Sequence, residues 1–370
     1  MKGAFYSGKK GLALGFWILC LFLGSHVFDA DARQLKVPAS YPTIQDAIRD
    51  SWQGDTIVVA PGRYSVAFDS LIIPKEWNIT IKSEAGAQET VISGRGNSPI
   101  IVVGEGSGAV IEGFTLVREG DLKETLKGGA IYCAPGSAPV IKANIIRGNH
   151  ATFGGGIFCD VQSKPTIVDN VFLTNSAKVA GGAIFTDRAR ALIARNRFHE
   201  NSARVGGALA SNRDSSQVSN NIFWKNRAVY GGAAACDRAA TIFDNDTFAY
   251  NSAEKGSAIM VEKGSVRLTN LIVWYNEGVS LVLRGIGPAA RPAYCDLQDG
   301  VYKGINGNIS ARPMFVDGEE GDFHLLPSSP CINKGCPDPY YMDKDGSYND
   351  MGAYGGPSPL VDSKIPYKGR

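Results

Sequence analysis

The residues of this chain best placed to do chemistry stand in columns. A phrase opening Gly-Gly recurs from Gly128, Gly154, Gly181, Gly206 and Gly231, and again, as Gly-Ser, from Gly256. Its seventh and eighth positions read Asp160-Val161, Asp187-Arg188, Asn212-Arg213, Asp237-Arg238 and Glu262-Lys263, an acidic column beside a basic one. Carboxylates in a row accept sugar hydroxyls or hold Ca²⁺, and arginines meet uronate or sulfate groups through their fork of donors. The fifth position adds Tyr132, Phe158 and Phe185. Three such rings on coils stacked about 4.8 Å apart would form a strip on the order of 10 Å long, suited to stacking on sugar rings. The ligand-binding candidates are therefore these three aromatics with Asp160, Asp187, Asn212, Asp237, Glu262, Arg188, Arg213, Arg238 and Lys263. If the surface is catalytic, Asp187, Asp237, Arg188, Arg213 and Arg238 are the candidates. Two plainer readings compete: the charged stripe is a ladder of surface ion pairs, each contributing about 0–1 kcal/mol, and a loop such as 118–128 covers the rings.

Other chemistry is thinner. Asp343, Asp345, Asn349 and Asp350 place alternating oxygen ligands around a glycine, like half of a calcium loop, without EF-hand spacing or its terminal glutamate. A turn-rich closing loop is the alternative to that Ca²⁺ site. The 4 histidines, His26, His150, His199 and His324, lie in unrelated contexts and form neither a zinc pattern nor a triad. Cys331 and Cys336 are near enough in sequence to form a disulfide. Cys133 and Cys159 share a column and are read either as a second disulfide or as stacked core thiols.

The elements that must carry these columns follow from the period. The phrase returns at intervals of 26, 27, 25, 25 and 25 residues, and Asn149, Asn175, Asn201, Asn226, Asn251 and Asn276 keep step. A fixed period in this range marks a solenoid, and Gly pairs with short β-rich runs exclude helical repeats. The fourth-position column, Ile131, Ile157, Ile184, Leu209, Ala234 and Ile259, should face the core, with Cys133, Cys159, Thr186, Ser211, Cys236 and Val261 two residues on. Ile146, Phe172, Phe198, Phe223, Phe248 and Val273 read as an inner aromatic ladder. The recurring asparagine is expected to take the left-handed turn conformation and to bond its copy in the next coil.

Composition agrees. Of 370 residues, 44% are apolar and 20% charged, with 44 glycines, which indicates a globular chain with frequent turns. A net charge of +2 gives no field to recruit nucleic acid, so none is expected as a partner. Residues 1–32 have the layout of a secretory signal peptide: Lys2, Lys9 and Lys10, an apolar run from Gly11 to Gly24, and Ala30-Asp31-Ala32. That run is too short to span a membrane comfortably, so a secreted, periplasmic or cell-surface monomer is expected. The remaining divisions are 33–127 for the cap and first coils, 128–276 for the regular repeats and 277–370 for the last coils and closing segment.

The repeated phrase, the asparagine columns and the opening from Tyr41 to Ser65 resemble exported right-handed parallel β-helix proteins of the pectin-lyase-like superfamily. The stretches "ARPMFVDG", "DFHLLPSSPCINKG" and "DKDGSYNDMGAYGG" look like the segment that often closes bacterial members. The resemblance implies a single-stranded, all-β solenoid, with a short capping helix starting after Thr43 and an irregular C-terminal end. It implies an extracellular or cell-wall polysaccharide as partner and leaves activity open, since the superfamily includes lyases, hydrolases, esterases, epimerases and adhesins. The pectate lyase Arg-x-Pro-x-x-Arg stretch is approached only by Arg291-Pro292-Ala293, and no Asp-Asp pair of the polygalacturonase kind occurs. Three functions remain: a surface that binds extended polysaccharide, a polysaccharide lyase or glycoside hydrolase, and a structural surface protein without a glycan ligand.

Overall fold

The computed structural model describes residues 32–66, 70–119, 125–287 and 291–361; the expected signal peptide lies almost wholly outside them. The chain winds as an all-β parallel solenoid. Sheet I, of 10 strands, runs from Gln34–Val37 to Arg267–Thr269. Sheet II, of 9 strands, runs from Leu71–Ile73 to Leu281–Ile286 and carries the repeated phrase. Sheet III, of 10 strands, runs from Gly62–Val66 to Asp296–Leu297. Sheet IV adds 5 short strands, from His150–Phe153 to Ser252–Lys255, just before the phrase begins. Helix α1 (Ile44–Asp50) begins where expected: the Thr43 hydroxyl accepts the Asp46 N–H at 3.1 Å, and Ile44, Ala47 and Ile48 are buried against the first coils. Among the described residues no helix is long and apolar enough to cross a membrane.

The phrase pairs in register from coil to coil, Ile157 beside Ile184, Phe185 beside Ala210 and Asp237 beside Glu262. Its fourth and sixth columns point inward and are buried throughout. Phe172, Phe198, Phe223 and Phe248 stack along the axis with centroids 4.8, 4.7 and 4.6 Å apart and interplanar angles of 13°, 6° and 1°. Each ring therefore fills the void its neighbour would leave, in the offset geometry aromatic pairs prefer.

Why two glycines? The first has positive φ, +66° at Gly181, where the chain turns from sheet IV into sheet II. The second lies against the next coil: a Cβ on Gly182 would sit 2.0 Å from the Gly207 carbonyl oxygen. One glycine supplies a conformation and the other supplies clearance.

The asparagine ladder forms with one correction. Asn201 donates through Nδ2 to Asn226 Oδ1 at 3.0 Å and to the Phe172 carbonyl at 3.0 Å, while its own Oδ1 receives the Asn175 backbone N–H at 3.0 Å. The left-handed residue is the one before each ladder position, Thr174, Glu200, Lys225, Tyr250 and Tyr275, not the asparagine itself. The corner is turned one residue early, which aims the amide inward, where buried backbone groups need partners. A second ladder, Asn144, Asn170, Asn196, Asn221 and Asp246, does the same at the corner between sheets I and III.

Beyond the last coils the chain doubles back along the solenoid. Strands Phe315–Asp317 and Asp322–Leu325 pair antiparallel, and Phe323 packs edge-on against Trp224 at 6.0 Å. The segment then meets three successive corner asparagines. Asn220 donates to the Gly355 carbonyl at 2.7 Å, Asn245 to that of Asp350 at 2.8 Å, and Asn270 accepts the Cys336 N–H at 2.7 Å.

Candidate functional site

The outward side chains of sheets II and IV enclose a groove of about 270 Å³. Its floor is the fifth-position column: Phe185, Ala210, Ala235 and Met260 on four adjacent coils, so the floor drops between two large side chains. One wall is apolar, formed by Ala180, Val205 and Tyr230 of sheet IV. The opposite rim carries Asn212, Asp237 and Glu262. Family comparison agrees with this geometry: residues 78–248 match the model described as a right handed beta helix region. The protein is a right-handed parallel β-helix. The crystal structure of pectate lyase Pel9A superposes with a TM-score of 0.52 at 13% identity, over 87% of this chain and 96% of that one, a likeness of fold. No curated protein matches the sequence.

Along the β-helix the aromatic column is only partly open. Tyr132 and Phe158 lie 6.0 Å apart and Phe158 and Phe185 5.3 Å. Phe158, however, is 2% exposed, because the Lys127 ammonium lies 4.6 Å over its ring and the 125–127 segment crosses there. The expected continuous strip is therefore interrupted by the segment that carries Lys127. Phe185 is half-buried, with Phe153 5.3 Å away, and it forms one end of the groove. Asp160 belongs to this cover: its Oδ2 accepts from Lys127 Nζ at 2.8 Å and from the Tyr132 hydroxyl at 2.7 Å. Burial raises its pKa, but these donors and the Val161 N–H outweigh burial and hold it below the usual carboxylate value. Burial and the Asp160 bond in turn push the Tyr132 phenol up.

The acidic and basic columns diverge at the corner. Arg188, Arg213, Arg238 and Lys263 have φ of 52°, 51°, 50° and 69°, so the strand bends one residue after the acid and carries the basic side chains past the rim. Arg188 Nη2 lies 2.9 Å from Asp187 Oδ2, and Arg238 Nη1 3.2 Å from Asp237 Oδ2. Arg284 Nη1, on the next strand, lies 3.9 Å from Glu262 Oε2. Most of the catalytic candidates are solvated: the side chains of Arg188, Asp237 and Arg238 are 54%, 45% and 50% exposed, while that of Asp187 is 16% exposed. Of the residues chosen from sequence, Phe185, Asn212, Asp237 and Glu262 line the groove. Tyr132, Phe158 and Asp160 lie under the cover, Asp187 is tied to Asn212 at 2.7 Å, and the four basic residues stand outside. Tyr230 and Val205 were missed, because sheet IV varies in length and register: it bulges between Ala177 and Ala180. Their signal was their place immediately before each Gly pair.

The remaining candidates resolve differently. Cys133, Cys159, Cys331 and Cys336 are all free thiols. Cys133 and Cys159 stack in the core, where the bond to Cys133 and burial push Cys159 well up, while Cys331 Sγ lies 3.2 Å from Asp296 Oδ2 instead of facing Cys336. The proposed calcium ligands do not converge. Asp345 accepts from Ser347, Asp343 from the Asp350 and Gly356 N–H groups, Asp350 from Asn333, and Asn349 turns to Asn245. Among the described residues no three His, Cys, Asp or Glu side chains are placed to hold a metal. These four residues build the closing turn.

Proposed function

We propose that this protein is an exported, monomeric β-helix that binds a segment of extended extracellular or cell-wall polysaccharide along the groove between sheets II and IV. The observation that carries this reading is the groove's repeating cross-section: apolar floor, aromatic or aliphatic wall and acceptor rim return on each coil at roughly 4.8 Å. A repeating surface of this kind suits a repeating ligand. The fold shared with a pectate lyase supports a polysaccharide-related role, and the layout of residues 1–32 supports export.

A second reading is favoured by one feature. Asp237 and Glu262 are register partners on adjacent coils, both on the rim, and a pair of neighbouring carboxylates is what a glycosidase uses as nucleophile and acid. The solvated setting of Asp237 favours binding over hydrolysis. Incubation of the chain lacking residues 1–32 with anionic and neutral polysaccharides, with and without Ca²⁺, separates the readings. Retention without product supports binding. New reducing ends, or the absorbance of an unsaturated product, would make the protein an enzyme, and neither would leave a structural surface protein.

A further inference from the structure

The polar atoms that face the groove share one property. Asn212 gives one of its two Nδ2 hydrogens to Asp187 Oδ1 at 2.7 Å, which leaves its amide oxygen and one N–H for the groove. Asp237 shares one carboxylate oxygen with Arg238, and Glu262 makes only the long 3.9 Å approach to Arg284. Towards the groove the rim therefore presents mainly acceptors, its carboxylates partly balanced by Arg238 and Arg284 behind them, and among the described residues no arginine or lysine lines the groove. On the opposite wall Lys255 directs its ammonium to the Tyr230 ring, 5.8 Å from the centroid.

A ligand on this rim must bring donors. Sugar hydroxyls and amide N–H groups do; an ionised uronate carboxylate brings acceptors only and meets like charge. The floor adds a second requirement. Ala210 and Ala235 lie side by side between Phe185 and Met260, leaving an apolar recess two coils long, flanked by Val205 and Tyr230. A chain that carries only hydroxyls would leave this recess empty or wet. An acetamido substituent offers both: a methyl for the recess and an N–H that can donate to one of the rim carboxylates, Asp237 or Glu262.

We propose that the groove selects a chain of N-acetylated amino sugars over chains of uronates or of plain hexoses. This rests on the glycan-binding reading above and assigns the substrate class of that same groove. Recognition of a polar N–H by a carboxylate discriminates against ligands that lack it by about tenfold or more, and burial of a methyl adds roughly fourfold.

The test is calorimetric titration of the protein with three oligosaccharides of equal length: N-acetylglucosamine, glucose and galacturonate oligomers. The expected result is that the N-acetylglucosamine oligomer binds at least about tenfold more tightly than either of the others. Equal or tighter binding of the glucose or galacturonate oligomer overturns the inference and leaves the groove a glycan site of another class. Failure of all three to bind overturns the glycan-binding reading itself. Ala235→Leu fills the recess and should abolish the preference. Should that variant fail to fold by circular dichroism, Glu262→Gln and Tyr230→Ala, both at partly exposed side chains, carry the same test. Glu262→Gln is expected to weaken the N-acetylglucosamine oligomer by roughly tenfold and to narrow its margin over galacturonate. An unchanged ratio in all the folded variants would place the ligand elsewhere and overturn the assignment.

Discussion

Replacing Asp246 by asparagine should stabilise the protein at neutral pH and leave it little changed in acid. Asp246 is the last rung of the second ladder and has no solvent exposure. Its Oδ1 accepts the Asn221 backbone N–H at 2.8 Å and Nδ2 at 2.9 Å, as Asn170, Asn196 and Asn221 each do from the rung before. Its Oδ2 has no partner. On the preceding rungs this second position is an amide nitrogen that donates to a carbonyl of the coil before, Ile141 for Asn170, Ile167 for Asn196 and Ile193 for Asn221. The carbonyl in register for Asp246 is that of Val218. Burial drives the Asp246 pKa well above the carboxylate range; the Asn221 bonds oppose that rise and the Asp244 charge adds to it. A carboxyl whose pKa is raised by folding takes up a proton on folding once pH exceeds the unfolded value of about 4. Its contribution is complete below that value and is lost as pH rises toward the folded pKa. The Asp246→Asn variant removes this loss and satisfies the Val218 carbonyl, so the gain at pH 7 should be about 1–3 kcal/mol, the cost of one buried unsatisfied polar group. Urea denaturation of both proteins from pH 4 to pH 8 measures it. A variant less stable at pH 7, or a difference that does not shrink toward pH 4, would refute the reasoning.

Three further outcomes are expected. Gly182→Ala should prevent folding or cost several kcal/mol in urea melts, since its Cβ meets a backbone oxygen at 2.0 Å, while Gly136→Ala, with nothing within 4 Å, should cost only the roughly 1 kcal/mol of its left-handed φ. Of the six cysteines from Cys133 onward, thiol reagent should label Cys336 in the native protein and the buried five only on unfolding, with no change on prior reduction. Asp343 is raised to about 6 by burial, eased by the Gly356 N–H and reinforced by the Asp350 and Asp345 charges. Its stabilisation of the closing turn is therefore complete near pH 4 and lost as pH rises through about 6. Hydrogen exchange at the Asp350 and Gly356 amides should quicken from pH 5 to pH 8 beyond the intrinsic rate, and Asp343→Asn should abolish that excess.

The inner columns were legible in the sequence because each keeps an apolar or small side chain at a fixed period, as with Ile157 over Ile184 and Phe198 over Phe223. Burial repeats with the backbone, so period alone reveals it. The outer face was less legible because it depends on where the strand bends. Arg188 and Asp187 are neighbours in sequence, yet the left-handed conformation of Arg188 takes its side chain off the groove face, where it still pairs with the Asp187 carboxylate at 2.9 Å. The second ladder escaped because its last rung is an aspartate and its copies lie five residues from the first ladder, inside the same β-rich runs. Tyr230 escaped for the opposite reason: sheet IV does not repeat strictly, and a one-residue bulge shifts its columns. The acids chosen as calcium ligands accept from a turn's N–H groups, a role that a run of acids beside a glycine fills as readily as it would hold a cation.

The returning C-terminal segment has a mechanical consequence. A solenoid held only by neighbour contacts can unzip from its end, one coil at a time. Here Asn220, Asn245 and Asn270 are fastened to one continuous strand of chain, so three coils are laced together lengthwise. Tension on the C-terminus would have to strip this lacing before any coil could peel. We therefore expect single-molecule stretching to show one large first rupture followed by small steps, and a chain cut after residue 310 to lose that first event.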